Sequence, residues 1–593
     1  MSASPRIVPA RITESAHDRH SSRAWGFEDS HFAVRGDVVR FESTRYPGAG
    51  RELPNFAPFV ATAIGVPFDP TDRNEPREMH IPQGADVTEL RVRLEGALGP
   101  AAVSLDPLVR LRRGHGHHLE EIFHLLYGRI DRVPDVVVWP ASDEEVAQVL
   151  TIARELGAVV IPFGGGTCVS LALACPEQNL PVISLDLGRM NQVLWIDPVT
   201  RTACIEGGAV GRQIERCLAE HGFTLGHEPD SVEFSTLGGW IATNASGMKK
   251  NRYGNIEDVV LDVTLVSSSG VVQHAVTVPR SSHGVDVRRL AFGSEGMFGV
   301  ITRAVVKIHR LPELTRYGSL VFPNFRRGVE FLTELSEWQA LPASVRLVDN
   351  LQFRFGQACK PPGSGLVKAL QKAYLTRLRG IDLEQMAAVT LVYEGGAGEQ
   401  RELEARVLGL AGRHGGVSGG SAAGQAGYGL TFGIAYIRDF LLPYWTIGDS
   451  FETAVPWGQI DAVVEAVKGS VRAGHAELGL SGHPFVTARV SQIYQTGACV
   501  YFYLGFHYKG VKDPVAAFRR LEHVARQAIL DAGGALSHHH GIGKIRAAYL
   551  PQIKSETALE WARAVKGALD PGAVFGAGNQ IPGTLPAPGT LPD

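Results

Sequence analysis

The sequence has few cysteines and no long apolar run, and both shortages exclude classes of protein. Its six cysteines, at positions 168, 175, 204, 217, 359 and 499, lack the paired spacing of a zinc ribbon or a disulfide framework, so we predict reduced thiols. No uninterrupted apolar stretch reaches the roughly 18 residues that a membrane-spanning helix needs. Residues 1–23 are polar and lack the apolar core of a signal peptide. We therefore expect a soluble, cytoplasmic protein.

Charge of one sign is also scarce. The 58 basic and 61 acidic residues give a formal net charge of −3, so no overall positive field would attract nucleic acid. Two familiar nucleotide motifs are missing as well: the sequence shows neither the G-x-G-x-x-G of a Rossmann fold nor the Gly-Lys-Ser/Thr of a Walker loop. These absences disfavour a nucleic-acid partner, a nicotinamide cofactor and a nucleoside triphosphate.

The chain is long: it has 593 residues, of which 44% are hydrophobic. A chain of this length is too long to fold around a single hydrophobic core. From Asp135 to about Leu311, short β runs alternate with turns and amphipathic helices. From Tyr317 the pattern restarts in a form that suits an antiparallel sheet with helices on one face. The predicted class is α+β. The predicted domains are an N-terminal extension packing on the rest (1–133), a first domain (134–312), a second domain (313–530), a C-terminal segment returning to the first domain (531–580) and a disordered tail (581–593).

A glycine-rich turn, Pro162 to Cys168, directly follows a predicted strand. Such a turn exposes successive backbone N–H groups to an anion, although on its own it is more often a plain turn. Three later segments, residues 229–239, 243–247 and 293–302, mix glycines with small hydroxyl residues. Glycines let a large planar ligand approach the backbone, and the hydroxyl and amide groups can satisfy its polar edges. Residues 415–429, rich in glycine, alanine and serine, are predicted to be a mobile loop.

Three adjacent histidines, His538, His539 and His540, stand near the end of the chain. They could form a solvated loop or a chance metal site. Adjacent residues rarely bind one metal, and no cysteine or carboxylate stands at ligand spacing in the sequence, so no metal is predicted. The neighbouring glycines and Lys544 favour an anion pocket with groups that titrate near neutrality.

The order of these glycine segments resembles the vanillyl-alcohol-oxidase type of FAD-binding family, also called the PCMH type. Within it, the chain resembles the alkyldihydroxyacetonephosphate synthases nearly end to end. The stretches that carry this second resemblance include Trp25-Gly26-Phe27, residues 134–140, residues 247–258, Ala435 to Asp439, Ala498 to Tyr503 and the histidine run. The resemblance implies a two-subdomain FAD-binding domain plus a cap domain whose antiparallel sheet is covered by helices.

The resemblance also assigns a set of residues to a non-covalently bound FAD, with the glycine turn at the pyrophosphate, the middle segments along the flavin and the last segment at the adenine end. Cys168 is the one candidate in the first loop for a covalent bond. The assigned residues are Pro162, Phe163, Gly164, Gly165, Gly166, Thr167, Cys168, Asp230, Ser231, Val232, Glu233, Phe234, Ser235, Thr236, Thr243, Asn244, Ala245, Ser246, Glu295, Gly296, Met297, Phe298, Gly299, Val300 and Ile301.

By the same resemblance Tyr501 is the catalytic base, with His538, His539 and His540 as catalytic partners. A phenol has an ordinary pKa of about 10, so we expect these imidazoles or other cations to lower it. Without the resemblance, Tyr501 would more simply be a core tyrosine.

Three cations are assigned to the substrate. Arg438 matches the family arginine that holds the substrate phosphate, although it could instead form an ion pair with Asp439. Arg346 also matches a family arginine and could be structural. Lys544 belongs to the predicted anion pocket.

The resemblance implies a reaction without net redox change. The acyl group of a 1-acyl-dihydroxyacetone phosphate is exchanged for a long-chain fatty alcohol, through an adduct between the flavin N5 atom and the substrate, which gives an ether lipid. A peripheral membrane surface and a homodimer are expected with it. The sequence shows no recognised peroxisomal signal. Two alternatives remain open: an FAD-dependent 2-hydroxyacid dehydrogenase or oxidase on the same scaffold, and an inactive flavin-binding partner protein.

Overall fold

The glycine turn follows a strand of a small, mainly parallel sheet. The computed structural model describes residues 6–13, 20–36, 38–46, 49–128, 130–176, 178, 180–282, 284–361, 372–575 and 578–581. In this first sheet the strand order is Val103–Ser104, Val136–Val138, Val182–Asp186 and Val159–Phe163, and the last three strands run parallel. Parallel strands are covered on both faces, and accordingly these strands are almost fully buried and mostly apolar. The helix Asp143–Glu155 connects two of them and begins where the Ser142 side chain accepts a hydrogen bond from the Glu145 N–H.

A second, antiparallel sheet completes this part of the chain. Its strand order is Gly270–Val272, Val260–Ser267, Val300–Lys307, Thr202–Glu206 and Val193–Asp197. The helices Gly211–Ala219 and Leu237–Thr243 pack against it in one apolar core. The three glycine- and hydroxyl-rich segments lie between strands of this sheet along the chain. They reach the glycine turn at Phe234, Thr236 and Gly296.

The cap is a seven-stranded antiparallel sheet. Its strand order is Val417–Ser418, Leu314–Phe322, Ala387–Gly395, Ser344–Val348, Phe485–Ile493, Gly497–His507 and Thr446–Pro456. Four helices, Phe325–Ser336, Ala397–Arg413, Ile460–Glu477 and Pro514–Asp531, bury their apolar sides on one face. Since side chains alternate along a strand, the opposite face presents Arg346, Arg489 and Tyr501.

The N-terminal part packs on the cap. The strands His31–Arg35, Val38–Glu42 and Glu52–Leu53 form a small sheet, and the helix Phe56–Ile64 joins it to the helices Asn350–Ala358 and Ile434–Leu441. The C-terminal segment returns to the first sheet, where Val160 N–H donates to Val574 O.

The remaining elements are short or peripheral. The helices are Thr88–Leu98, Pro107–Arg112, Leu119–Tyr127, Lys250–Tyr253, Ile256–Val259, Ser421–Gly429, Leu550–Ile553 and Glu556–Leu569. Single turns of 3₁₀ or π helix are Pro100–Ala102, Leu187–Arg189, Val287–Leu290, Tyr374–Leu378, Leu430–Gly433, Leu442–Tyr444, Trp457–Gln459 and Ala547–Tyr549, and Phe223–Thr224 pairs with His309–Arg310. Within the described ranges no helix is both long and apolar enough to span a bilayer.

One prediction from the sequence is wrong, and another concerns residues that the structure does not describe. Residues 415–429, expected to be a mobile loop, contain the strand Val417–Ser418 and the helix Ser421–Gly429. The small residues that suggested a loop instead permit close packing: a Cβ on Gly424 would lie 2.2 Å from the carbonyl oxygen of Gly318. The expected tail falls outside the described residues from position 582 onward.

Candidate active site

A cavity of about 410 Å³ lies between the glycine segments and the open face of the cap sheet. Its size falls in the usual range for small-molecule and cofactor sites. The predicted FAD residues that line it are Pro162, Phe163, Gly164, Gly165, Gly166, Thr167, Cys168, Asp230, Ser231, Ser235, Thr236, Thr243, Ala245, Ser246, Glu295, Gly296, Gly299 and Ile301. The cap contributes Tyr501 and three arginines.

The glycine turn is fixed by its neighbours. A Cβ on Gly165 would lie 2.0 Å from the carbonyl oxygen of Phe234, and one on Gly164 would lie 2.4 Å from Thr236 Oγ1. Gly166 has φ +67°, in the left-handed region that favours glycine. In the described chain the N–H groups of Gly165, Gly166 and Thr167 donate to no backbone or side-chain acceptor. They form a set of donors suited to a pyrophosphate.

Seven predicted FAD residues lie outside the lining: Val232, Glu233, Phe234, Asn244, Met297, Phe298 and Val300. Most of these side chains point into the protein, as when Phe234 packs 5.1 Å from the Trp25 ring and Glu233 accepts a hydrogen bond from Tyr46. A match to a linear motif does not distinguish side chains that turn inward from those that turn toward the ligand.

Tyr501 lies in the strand Gly497–His507, directly opposite Glu452 on one neighbouring strand and Arg489 on the other. Its hydroxyl is 2.9 Å from Ser450 Oγ and 3.2 Å from His540 Nε2. The pKa of Tyr501 is raised well above its ordinary value by burial, which the nearby Arg489 guanidinium only partly offsets. The expectation of a lowered pKa is therefore wrong.

The three histidines do not supply the expected positive charge. Burial lowers the pKa of each, to about 3 for His538, so all three imidazoles are neutral near pH 7. His539 and His540 line the cavity, whereas His538 lies behind them. A neutral His540 can accept the phenolic proton of Tyr501 at Nε2.

Glu452, which the sequence reading missed, positions this histidine loop. Its buried carboxylate accepts hydrogen bonds from Ser537 Oγ at 2.7 Å and from the His540 N–H at 2.8 Å, and also from the N–H groups of His538 and His539. Burial alone would raise the pKa of Glu452, but the three imidazoles and Arg546 hold it well below its usual range. His540 Nδ1 lies 3.7 Å from this carboxylate, which would stabilise an imidazolium there.

A possible set of metal ligands lies behind the histidines. Glu452, Cys499, His538 and His539 bring one ligand atom each within 4.8 Å of one another. Spacing along the chain gives no sign of this cluster, because its residues come from two strands and a loop. Both Glu452 oxygens already accept hydrogen bonds, and burial raises the pKa of Cys499 well above its ordinary value. The arrangement is thus satisfied as a hydrogen-bonded cluster.

Arg438 has one donor to spare. Its Nε donates to Asp439 at 2.8 Å and its Nη1 donates to the carbonyl of His117 at 2.7 Å, while its buried Nη2 has no partner in the described chain. The ion pair with Asp439 and a role in ligand binding are therefore compatible. An unpaired buried donor on a cavity wall suits an anionic group.

Two further arginines meet at Asp230. Arg346 Nη2 lies 3.8 Å from one carboxylate oxygen, and Arg489 Nη2 donates to the other at 3.4 Å. Arg489 also lies over the Tyr501 ring, 4.1 Å from its centroid, and donates to Tyr503 Oη at 2.7 Å. Arg489 is the one charged residue of the strand Phe485–Ile493, and that is the signal that could have identified it.

Lys544 is placed elsewhere. Its Nζ donates to Asn579 Oδ1 at 2.7 Å and to the carbonyl of Leu171 at 3.2 Å, and it does not line the cavity. The Lys544 N–H also donates to Ser170 O, so this residue ties the histidine loop to the glycine-turn region and the C-terminal segment. The predicted contact with substrate is not what the structure shows.

One end of the cavity is apolar, and the N-terminal part of the chain supplies much of it. Phe59, Val60 and Ile64 of the helix Phe56–Ile64 line it together with Phe355 and Phe485. The sequence reading treated this N-terminal region only as a packing extension. Its contribution could be seen only after folding, because no local motif marks these residues.

The lining fits FAD. The glycine-turn N–H groups suit a pyrophosphate, and the closely packed glycines at positions 238 and 239 give a planar ring access to the backbone. Arg438 Nη2, which belongs to a lining residue, has no partner in the described chain, and neither has the buried Asn244 Oδ1, which lies between the lining residues Thr243 and Ala245 along the chain.

Comparisons with known proteins agree with this geometry. The family described as FAD binding domain matches residues 134–275, and the family described as FAD linked oxidases, C-terminal domain, matches residues 311–579. An alkyldihydroxyacetonephosphate synthase of Caenorhabditis elegans is 39% identical over 98% of each chain. A solved alkyldihydroxyacetonephosphate synthase superposes with a TM-score of 0.82 at 26% identity, over 95% of this chain and 99% of the other.

A more distant solved structure shows the fold alone. p-Cresol methylhydroxylase with substrate bound superposes with a TM-score of 0.63 at 14% identity, over 84% of this chain and 98% of its own. The predicted α+β, PCMH-type fold with a cap domain is confirmed.

Proposed function

Because the chain belongs to the alkyldihydroxyacetonephosphate synthase family, we propose that it exchanges the acyl group of a 1-acyl-dihydroxyacetone phosphate for a long-chain fatty alcohol. The bond between C1 and the ester oxygen breaks, and a bond between C1 and the alcohol oxygen forms. The products are 1-alkyl-dihydroxyacetone phosphate, a fatty acid anion and one proton. The chain is an FAD-dependent transferase of ether-lipid synthesis.

The observation that carries this proposal is the content of one cavity. One cavity is lined by the glycine turn, by Tyr501, whose hydroxyl lies beside His540 Nε2, by Arg438, whose Nη2 has no partner in the described chain, and by an apolar end. Arg438 suits the substrate phosphate, Tyr501 suits the reacting carbon, and the apolar end suits an alkyl chain. A small 2-hydroxy acid would leave the apolar end without a function.

FAD would be held by the backbone of Gly164–Cys168 and by the small residues of the two later segments. When bound, it supplies an electron-accepting ring, so the exchange needs no outside oxidant. Burial raises the pKa of the Cys168 thiol to about 12, which leaves it protonated near neutral pH and favours a cofactor held without a bond to this sulfur.

The chain's own residues bind the substrate and move its protons. Arg438 binds the phosphate through its free Nη2. Tyr501 passes its hydroxyl proton to His540 Nε2 and takes the carbon-bound proton at Oη. Its raised pKa makes the phenolate a strong base, while Glu452 stabilises the positive charge that forms on His540.

The deciding experiment incubates the FAD-loaded enzyme with palmitoyl-dihydroxyacetone phosphate and a radiolabelled fatty alcohol. Label is expected in an ether that resists alkaline hydrolysis, with one equivalent of palmitate released. A protein that makes no labelled ether, but whose flavin absorbance bleaches with a 2-hydroxy acid, would instead be the redox enzyme. A flavin-loaded protein active in neither assay would be the non-catalytic partner.

Docking on a membrane surface is part of this proposal, because both alkyl substrates reside in lipid. Tyr374 is 45% exposed and Leu378 is 77% exposed, beside the exposed cation Arg377. Leu375 of this turn packs against the same apolar cluster, around Ile381 and Met386, as Phe353 of the helix that also carries Phe355 into the cavity. Apolar side chains next to a cation suit an anionic lipid surface.

The variant Leu378→Glu, which introduces a negative charge, should bind less to vesicles of phosphatidylcholine and phosphatidylserine in co-sedimentation. The exposed control Leu408→Glu on another helix should bind like wild type, and equal binding by all three proteins would contradict this surface. A cytoplasmic location and a homodimer are also proposed, on the sequence alone. Cell fractionation and light scattering of the purified protein test them.

A further inference from the structure

The exchange reaction proposed above releases one proton that must leave the cavity. A fatty acid, with a pKa close to that of a glutamic acid side chain at about 4.3, departs as its anion at neutral pH. The alcohol has meanwhile lost its hydroxyl proton to form the ether. One proton per turnover therefore has to reach solvent from the reacting end of the cavity.

Two of the three histidines form a chain of hydrogen bonds away from that cavity. His539 lines the cavity, and its Nδ1 lies 2.8 Å from His538 Nδ1. His538 Nε2 in turn lies 2.7 Å from Tyr494 Oη. The two imidazoles thus contact each other through their Nδ1 atoms. One proton lies between these two atoms, and either ring can carry it.

We propose that His539, His538 and Tyr494 form a proton relay that carries the proton of the fatty alcohol from the cavity to solvent, and that Tyr494 is its outer residue. His539 gains the proton at Nε2, which makes no hydrogen bond within the described chain, and gives up the one at Nδ1 to His538. His538 releases its Nε2 proton to Tyr494. No oxidant or further reactant is involved.

The surroundings of Tyr494 suit an exit. The residue is half-buried and is followed by the exposed Gln495 and Thr496. Lys250 Nζ lies 3.7 Å over its ring, and burial lowers the pKa of this half-buried lysine to about 8, so it exchanges protons with solvent near neutrality. Asn255 Nδ2 donates to Tyr494 Oη at 3.3 Å, and the Tyr494 hydroxyl itself donates a long hydrogen bond of 3.5 Å to Asn255 Oδ1.

The relay is separate from the base. Tyr501 contacts His540, and no hydrogen bond among the described residues joins that pair to His539. Burial keeps both relay imidazoles neutral, so each is able to accept a proton. The two tasks, removal of the carbon-bound proton and export of the alcohol proton, can thus be disrupted independently.

The test is Tyr494→Phe in the FAD-loaded enzyme, with ether formation measured at saturating substrates. The turnover number should fall about 10-fold or more with KM unchanged, and added imidazole should restore it by accepting the proton directly. The matched control is Tyr549→Phe, because the Tyr549 hydroxyl also lies within 2.6 Å of a histidine, His523 Nδ1, but outside the cavity lining. This control should behave like wild type and show no response to imidazole.

A Tyr494→Phe enzyme with wild-type turnover, or with a loss that imidazole does not reverse, would overturn the relay. If this variant does not retain FAD, His538→Gln replaces it in the same assay, and a turnover equal to wild type would overturn the relay just as well. Failure of the wild-type enzyme to form any ether would instead refute the proposed function, which is a distinguishable result.

Discussion

Substitution of Arg489 gives the sharpest test of what sets the pKa of Tyr501. The guanidinium lies 4.1 Å from the centroid of the Tyr501 ring and is almost fully buried. A unit charge at about 4 Å interacts with about 4 kcal/mol at an effective dielectric constant of about 20. The phenolate oxygen lies beyond the ring, so we take about half of this, roughly 2 kcal/mol, which equals about 1.5 pKa units.

Arg489→Met should therefore raise the pKa of Tyr501 still further. Since less phenolate would form near neutrality, turnover should fall about 30-fold, and the rising limb of the pH–rate profile should move to higher pH by about 1.5 units. The assay is ether formation between pH 6 and 10 with FAD occupancy measured in parallel. Arg489→Lys should lose less, because the charge is kept.

The exposed arginine Arg520, which pairs with Glu477 at 3.7 Å, provides the matched control as Arg520→Met. It should leave the profile unchanged. An Arg489→Met enzyme whose pH–rate profile overlays that of the wild type would refute the electrostatic reasoning. A lower rate at every pH without a shift would mean that Arg489 only supports the fold of the site.

Three further predictions concern the loop, the cofactor and the fold. Glu452→Gln should lower turnover by about 100-fold or more, because an amide cannot accept all the loop N–H groups or stabilise an imidazolium, as ether assays would show. Gly165→Ala should yield folded protein without the visible absorbance of FAD, since the new Cβ would lie 2.0 Å from Phe234 O. Lys566→Met should lower the free energy of unfolding by about 3–5 kcal/mol in urea titrations, since it leaves the buried Asp570 carboxylate, 2.6 Å from Lys566 Nζ, unpaired.

Each has a control on the same chain. Glu477→Gln changes an exposed carboxylate and should keep full activity. Gly409→Ala adds a Cβ in open space within a helix and should keep FAD and stability. Asp570→Asn added to Lys566→Met should recover part of the lost stability. Wild-type turnover in Glu452→Gln would contradict the role of Glu452 in positioning the histidine loop. Normal FAD binding by Gly165→Ala would contradict the placement of FAD at the glycine turn, and an unchanged free energy of unfolding in Lys566→Met would contradict the role of the buried ion pair.

Local sequence determined the elements of the fold. From Asp135 the alternation of short β runs with amphipathic helices predicted an α+β domain, and the glycine turn suggested an anion-binding loop because it directly follows a predicted strand. Tyr501 and Arg438 were assigned by resemblance, and both line the cavity. These features are local, so a short stretch of chain carries the whole signal.

The electrostatics of the site were decided by tertiary structure. Glu452 and Arg489 flank Tyr501 only because the register of three cap strands places them opposite it. Burial, which no short stretch of sequence reveals, makes the histidines neutral and raises the pKa of Tyr501. The sequence alone determined which groups are present and which elements carry them, whereas packing decided their charge, because the free energy of an ion depends on what surrounds it.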